Sequence, residues 1–369
     1  MKRMMMVGLL GSLLVSVLAV AAPISLCDYH TPETSLSDMN LSFNYRYFDD
    51  PATEGVDASS GRVSLGYNQL YDSPVVGFTL TGNGEVALTG FSVSGGLGQG
   101  AGTLRYYLYE DIPFFGFGGV EGSLATGQPQ PGLALSAGLG YGRFNDVTPL
   151  AKAFRIQQDL IALEAITAQL SDEVLMAIAT EIGRQIEYAE LKELVAAIET
   201  LIEDASGATL NARALLSIED EILATGDVRY CGWSVQGGIG YEVVDPFGGE
   251  KDILLTLSAD AAFAPEPGSQ FLFHASFFGP FNITEENTLT VAASYDYALS
   301  EDTTVIAKYN LQRVQPLGED AAADSQSASL AIAFNLGGAN VSLQLALTKG
   351  VGAVDWSKEI TISATMNLL

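Results

Sequence analysis

Long runs of alternating apolar and polar residues make up most of this chain. One run reads Val341, Leu343, Leu345 and Leu347 against Asn340, Ser342, Gln344, Ala346 and Thr348. Successive side chains of a strand point to opposite faces, so this pattern predicts sheets with one apolar face. The polar face holds mainly Ser, Thr, Asn, Gln and Gly. Many runs have 10 to 13 residues, whereas strands of globular proteins usually have about 5 to 6.

Residues 147–226 follow a different pattern, because their apolar positions recur with a helical period and only three of the 39 glycines fall there. Thr148 and Pro149 suit a helix start, and Gly207 suits a helix end. Four apolar stripes, beginning near 150, 174, 191 and 210, need partners to bury them. The segment 146–227 is therefore predicted to be an inserted helical bundle.

The N-terminal residues predict export. Lys2 and Arg3 precede an uncharged apolar stretch from Met4 to Val20, and 19–21 reads Ala-Val-Ala. This order of basic, apolar and small residues is typical of a cleaved signal peptide covering 1–21. An uncleaved membrane anchor is the alternative. Attachment of a lipid to Cys27 is disfavoured, because a small residue is expected before a lipidated cysteine and Leu26 is large.

Charge and composition exclude several kinds of protein. There are 17 basic and 44 acidic residues, which gives a net charge of −27 without a basic cluster. Nucleic acid needs concentrated positive charge, so we expect no nucleic-acid partner. Two cysteines and two histidines leave little for metal binding or acid–base chemistry. We therefore expect no metal, no cofactor and no enzymatic activity.

An exported chain with long strands and one apolar face resembles a bacterial outer-membrane β-barrel. The resemblance is to the class, not to a specific family, and implies an all-β transmembrane antiparallel barrel in contact with outer-membrane lipid. We predict about 14 strands, with 12 or 16 as alternatives, in two parts covering 38–145 and 228–369. The chain ends Leu368-Leu369, whereas many such barrels end on an aromatic residue.

The class also implies sidedness, since barrels of this kind keep both termini and their short turns in the periplasm. Predicted strands at 61–82, 84–95 and 101–109 place a short turn at residue 83. Segment 22–37 and the helical insert are then periplasmic. Gly138, Gly140, Gly142, Gly238 and Gly240 share an inward face beside the insert, where they would either leave room for a helix or permit a sharp bend.

Several residues are predicted to line the lumen, because they alternate with the apolar face. They are Arg46, Arg62, Arg105, Glu242, Asp260, His274, Asp296, Lys308 and Glu359. We expect His274 to bond a carboxylate. A three-residue turn at 301–303 predicts that Asp296 faces Lys308. Cys27 and Cys231 would lie at the same periplasmic end, which makes them a disulfide candidate.

Two functions fit these predictions. The first is a porin-like channel for passive diffusion of ions or small solutes, gated or plugged by the helical insert. Net acidity would favour cations if the charge faces the pore. The second is a structural barrel whose insert docks a periplasmic protein partner.

Overall fold

The computed structural model describes residues 24–31, 33–48, 58–109, 112–224, 228–246, 248, 253–281, 287–300, 302–315, 322–335, 339–350 and 352–366. The predicted signal peptide, residues 49–57 and residues 316–321 lie outside these residues. The chain divides into two compact units. One contains the N-terminal segment to Tyr29, Val147–Asp227 and Pro265–Pro267, and the other contains the remaining chain.

The larger unit is a single 14-stranded antiparallel sheet, so the predicted fold class and strand number are confirmed. Every strand pairs with its neighbours in chain order. Closure of the sheet through β1 and β14 is not among the strand pairings that the structure describes. The strands are β1 (Thr34–Phe48), β2 (Ala58–Asp72), β3 (Val76–Thr89), β4 (Ser92–Tyr107), β5 (Phe114–Ala125), β6 (Gly132–Asp146), β7 (Tyr230–Val244), β8 (Ile253–Phe263), β9 (Ser269–Pro280), β10 (Asn287–Ser300), β11 (Thr303–Gln315), β12 (Ala323–Asn335), β13 (Ala339–Lys349) and β14 (Ser357–Met366).

One face of this sheet exposes its large apolar side chains. Leu41 of β1 is 72% exposed, Ile239 of β7 55% and Leu345 of β13 41%. The same face continues on other strands through Leu65, Leu80, Leu104, Val120, Leu135, Leu257, Leu330 and Ile360, which are also exposed. A soluble protein rarely leaves a continuous apolar surface of this extent in water.

The boundaries of β2, β3 and β4 differ from the prediction. The turn lies at Ser73–Pro74, where the Ser73 backbone N–H donates to the Val76 carbonyl at 2.9 Å. Proline has no N–H for the ladder, which ends β2 there. Asn83 is not a turn residue, because it pairs with Gln99 in the middle of β3. The glycines on both sides of Asn83 are typical of a turn, which is why one was predicted there. They also fit within a strand, because the hydrogen-bond ladder uses only backbone groups.

The smaller unit contains four helices at the predicted places. They are α1 (Thr148–Ala162), α2 (Asp172–Gly183), α3 (Leu191–Ser206) and α4 (Ala212–Leu223). The cap of α1 is one residue earlier than predicted, at Val147, so Thr148 already belongs to the helix. Gly207 ends α3 at φ 68°, as expected for a left-handed cap. Among the described residues, none of the helices is long and apolar enough to cross a bilayer.

The helices of the smaller unit pack as a bundle, with α1 contacting α2 and α4, and α3 contacting α2 and α4. Ile178 of α2, Ile198 of α3 and Ile218 of α4 are fully buried. Their stripes therefore supply the partners that the helical periodicity required.

A buried ion pair joins α1 to α4. Arg155 Nε lies 2.7 Å from Glu221 Oε1, and both side chains are less than one-fifth exposed. Burial raises the pKa of the Glu221 carboxyl, and the nearby Arg155 and Lys152 oppose that shift. Lys152 Nζ also donates to the carbonyls of Ile222 and Ala224, at 2.7 and 2.8 Å. These contacts satisfy the last carbonyls of α4, which lack partners within the helix.

Substitution of Arg155 is expected to destabilise the bundle. Arg155→Met leaves the Glu221 carboxylate buried without its partner, which costs about 3 kcal/mol. Thermal loss of the helical circular dichroism signal of the full-length protein measures the effect. Arg184→Met is the matched control, because its pair with Glu187 is more than half exposed, and it should change little. Equal destabilisation by both variants would contradict the structural role of the buried pair.

Candidate functional site

A cavity of about 840 Å³ lies within the sheet unit. Residues from β1 through β11 line it, so the sheet curves around an interior. Of the 24 lining residues, nine are uncharged and polar, five are acidic or basic, and ten are apolar or aromatic. The nine uncharged polar residues are Asn68, Thr79, Thr81, Thr103, Gln236, Ser258, Ser276, Ser294 and Asn310.

Five ionisable side chains line the cavity: Arg105, Glu121, Asp260, His274 and Lys308. Four of them were predicted to face the interior. Glu121 was missed, although it shares its parity on β5 with the buried Phe115 and Phe117. Glu121 and Asp260 balance Arg105 and Lys308 in formal charge. Because Arg105 is also paired with the buried Asp72 at 3.8 Å, this tally of lining charges does not test the cation preference, which stays a prediction.

Asp260 and His274 form a cross-strand pair on β8 and β9. His274 Nδ1 lies 2.6 Å from Asp260 Oδ1, and each side chain is partly exposed to the cavity. The carboxylate expected beside His274 is thus present. Because Nδ1 is occupied by Asp260, the other ring nitrogen, Nε2, remains for a ligand.

The other predicted lining residues lie in different surroundings. Arg62 Nε lies 3.1 Å from Glu85 Oε1 of the neighbouring strand, and Asp296 Oδ2 lies 3.6 Å from Arg229 Nη2. Glu242 is opposite Ala134 at a register shift, and Glu359 is opposite Ala346. The backbone of Arg46 pairs with Ser60, and its side chain lies outside the described residues.

The predicted register of Asp296 and Lys308 is wrong by one pair on the same face. Asp296 lies opposite Ile306, and Lys308 lies opposite Ser294. The physical reason is a tighter turn. Ser300 pairs with Thr303, and a bulge follows between Ala298 and Ser300, so the strands meet with fewer turn residues than predicted.

The ends of β6 and β7 form a ribbon that bends into the interior. We call Gly142–Asp146 and Tyr230–Gly232 the inner ribbon. Gly142 has φ 124° and Gly232 has φ 137°, values that side-chain-bearing residues rarely adopt. A Cβ on Gly142 would lie 2.0 Å from the Trp233 carbonyl oxygen. Of the five glycines predicted to face inward, only Gly142 adopts a positive φ, so the bend is observed at that position.

Hydrogen bonds hold the inner ribbon to strands far from it in the sheet order. Thr34 Oγ1 of β1 donates to the Phe144 carbonyl at 3.1 Å and accepts from the Asp146 N–H at 2.9 Å. The single hydroxyl proton of Tyr107 (β4) is shared between Asp72 Oδ1 at 2.7 Å and the Gly142 carbonyl at 3.3 Å. Since β1 is five strands away from β6 in the sheet, these bonds cross the interior rather than follow the wall.

Asp72, at the end of β2, is the centre of this attachment. It accepts from the Tyr107 hydroxyl at 2.7 Å and from the Phe144 N–H at 3.4 Å, and it lies 3.8 Å from Arg105 Nη1. Asp72, Arg105 and Tyr107 are each at least 95% buried. The alternation of apolar and polar residues did not identify this cluster, because it placed Asp72 in the middle of a predicted strand at 61–82.

Aromatic rings lie beside two of the remaining inward glycines, Gly138 and Gly140. A Cβ on Gly140 would lie 2.3 Å from Phe115 Cζ, and one on Gly138 would lie 2.7 Å from Phe117 Cε1. Phe115 is fully buried and meets Tyr107 edge-on at 5.5 Å. The absence of a side chain thus makes room for Phe115 at Gly140, and at Gly138 for both Phe117 and the backbone of Gly237, whose oxygen would lie 2.3 Å from a Cβ.

The two cysteines lie in different units. Cys27 is in a short 3-10 helix, Leu26–Asp28, and Cys231 is buried in β7. No cysteine among the described residues is free. The bond between these two residues stays a prediction.

Comparisons with known proteins establish no family. No family model matches the chain, and no curated protein matches it. In the solved structures, 17 chains match. One is described as a bacterial polysaccharide outer membrane secretin, with 8% identity, 89% of this chain and 96% of that chain covered, and a TM-score of 0.24. A similarity this weak carries no functional argument.

Substitution at the bend of the inner ribbon should prevent correct folding. Gly142→Ala places a methyl group against the Trp233 carbonyl and imposes a strained φ, so the folded fraction should fall severely. Gly84→Ala, on β3, is the control because an added Cβ there meets nothing within 4 Å. Heat-modifiable mobility on gels measures the folded fraction. A normal fraction for Gly142→Ala would contradict the bend.

Thiol labelling tests the disulfide. If Cys27 and Cys231 are bonded, the denatured, unreduced protein should not react, and two thiols should appear after reduction. The entropy of closing so long a loop predicts a stabilisation of roughly 2 to 5 kcal/mol. Labelling of both residues without reduction would reject the bond.

Proposed function

We propose that this protein is an outer-membrane β-barrel that acts as a porin-like channel for small solutes or ions, narrowed by its inner ribbon. The observation that carries the proposal is the contrast between the two faces of the sheet. The outer face exposes Leu41, Ile239 and Leu345, while 14 of the 24 residues that line the interior cavity are polar or charged. Apolar residues outside and polar residues inside are typical of transmembrane barrels.

The length of the strands supports membrane insertion. The strands have 10 to 16 residues, and a tilted membrane strand needs about 9 to 11. Burial of the exposed apolar face in lipid also removes the cost of leaving it in water, at about 25 cal/mol per Å². We therefore place the sheet in the outer membrane, with the exported chain reaching it through the predicted signal peptide.

The inner ribbon supports a restricted channel rather than a wide pore. Its hydrogen bonds to Thr34, Tyr107 and Asp72 cross the interior, and Phe115 and Phe117 fill adjacent space. Because residues 147–229 connect its two strands, the helical insert is the part of the chain through which a periplasmic partner would act on it.

The second candidate is a scaffolding barrel whose insert docks a periplasmic protein. The buried cluster around Asp72 favours it, since polar and aromatic side chains with so little exposure leave no wide aqueous path there. Conductance separates the two candidates, because a scaffold needs no open state.

Single-channel recording of the purified full-length protein tests the channel. We expect stable but small conductance. Thr34→Val removes the two hydrogen bonds from β1 to the inner ribbon, so open events should become larger or more frequent. Thr81→Val makes the same chemical change elsewhere in the cavity lining and should leave conductance near that of the wild-type protein.

Three other outcomes would each reject one part of the proposal. Absence of conductance in the wild-type protein and in Thr34→Val would reject the channel and favour the scaffold. Equal effects of Thr34→Val and Thr81→Val would reject the inner ribbon as the constriction. Recovery of the protein as a soluble periplasmic species would reject the outer-membrane barrel itself.

A further inference from the structure

We propose that the cavity wall formed by β8 to β11 binds the oxyanion group, carboxylate or phosphate, of a small solute between His274 and Lys308. This inference deepens the proposed function and rests on it only in requiring that solutes reach the cavity. It names an anionic substrate class, which the acidic composition of the whole chain would not suggest.

Strand register places a shallow notch beside His274. Asp260 lies opposite His274, His274 lies opposite Ala292, and Ala292 lies opposite Asn310. These four residues form one row across β8 to β11, and all of them line the cavity. Ala292 contributes only a methyl group. The wall is therefore recessed between the imidazole of His274 and the amide of Asn310.

Lys308 stands at the edge of the same notch. It lies opposite Ser294 on β10, one same-face position from Asn310 on β11. Neighbouring strands are about 4.8 Å apart and residues along a strand about 3.4 Å, so the Cα atoms of His274 and Lys308 are roughly 12 Å apart. Two side chains of this length converge on one small group across such a distance.

The hydrogen-bond donors of the notch favour an anion. Asp260 Oδ1 lies 2.6 Å from Nδ1 of His274, which fixes the orientation of the ring and leaves Nε2 towards the cavity. Lys308 supplies a cationic donor at the edge of the notch, beside the Asp260–His274 pair. Hydrogen bonds between charged donors and an oxyanion are the stronger kind. The hydroxyls of Ser276 and Ser294 line the same cavity and supply further donors.

The remaining charges of the cavity lie on other strands. Arg105 of β4 donates to Thr79 Oγ1 at 2.7 Å and lies beside Asp72, so its charge is already compensated. Glu121 lies on β5, three strands from β8 in the sheet order. Glu121 is therefore remote from the notch in strand order, and the acidic residue of the notch row, Asp260, is bonded to His274.

Size limits the ligand to a small molecule. A cavity of about 840 Å³ falls within the usual range of small-molecule sites, about 300 to 1,000 Å³. Inorganic phosphate, a dicarboxylate or a small phosphorylated metabolite fits this volume.

Calorimetric titration of the detergent-purified full-length protein tests the site, with inorganic phosphate and succinate as probes in low-chloride buffer. We expect saturable binding of at least one probe, and the tighter one identifies the oxyanion. Lys308→Met and His274→Gln should each weaken binding by about tenfold or more. Lys349→Met, on β13 and outside the cavity lining, is the matched control and should bind like the wild-type protein.

Protection of histidine in the wild-type protein gives a second readout that needs no variant. The chain has two histidines, and His30 lies outside the cavity lining. The tighter probe should slow modification of His274 by diethylpyrocarbonate, measured by mass spectrometry, and leave His30 unaffected. Equal modification rates of His274 with and without that probe would overturn the site. So would wild-type affinity in the folded variants Lys308→Met and His274→Gln. Absence of saturable binding to the wild-type protein would overturn it as well.

The channel and the oxyanion site can be rejected independently of each other. Saturable binding without conductance would reject the channel and keep the oxyanion site. Conductance without binding or protection would reject the site and keep the channel.

Discussion

Backbone hydrogen bonding along the 14 consecutive antiparallel strands is the constraint on which the rest of this structure depends. Each pairing fixes which residues share a face, because alternate side chains of a strand point in opposite directions. A slip of one residue would move apolar side chains such as Leu345 to the interior and Ser342 to the outside. The apolar outer face, the polar cavity and the Asp260–His274 pair all follow from the register.

The inner ribbon departs from this regular pattern. It requires glycine at 142 and 232, where φ is positive and neighbouring backbone leaves no space for a Cβ. Polar side chains from β1, β2 and β4 then satisfy its backbone groups. Buried backbone groups need such partners, so Thr34, Asp72 and Tyr107 are as necessary to the bend as the glycines.

The charged residues that line the cavity do not reflect the net charge of the whole chain. The chain as a whole has a net charge of −27, yet the ionisable residues lining the cavity include Arg105, His274 and Lys308 against Glu121 and Asp260. Electrostatic selectivity depends on the groups nearest the solute, because charges farther than about 10 Å are largely screened. Net acidity is therefore a poor guide to what this cavity binds.

The sequence by itself determined the strand number, the apolar face, the four helices of the insert and the inward side of Arg105, Asp260, His274 and Lys308. These features depend on local periodicity, which is visible in a single strand or helix. Tertiary structure decided the turn at Ser73–Pro74, the partner of Asp296, the inner ribbon and the buried cluster at Asp72. They depend on register and on contacts between strands distant in the chain. Glycine and turn residues permit several such arrangements, and only packing selects one.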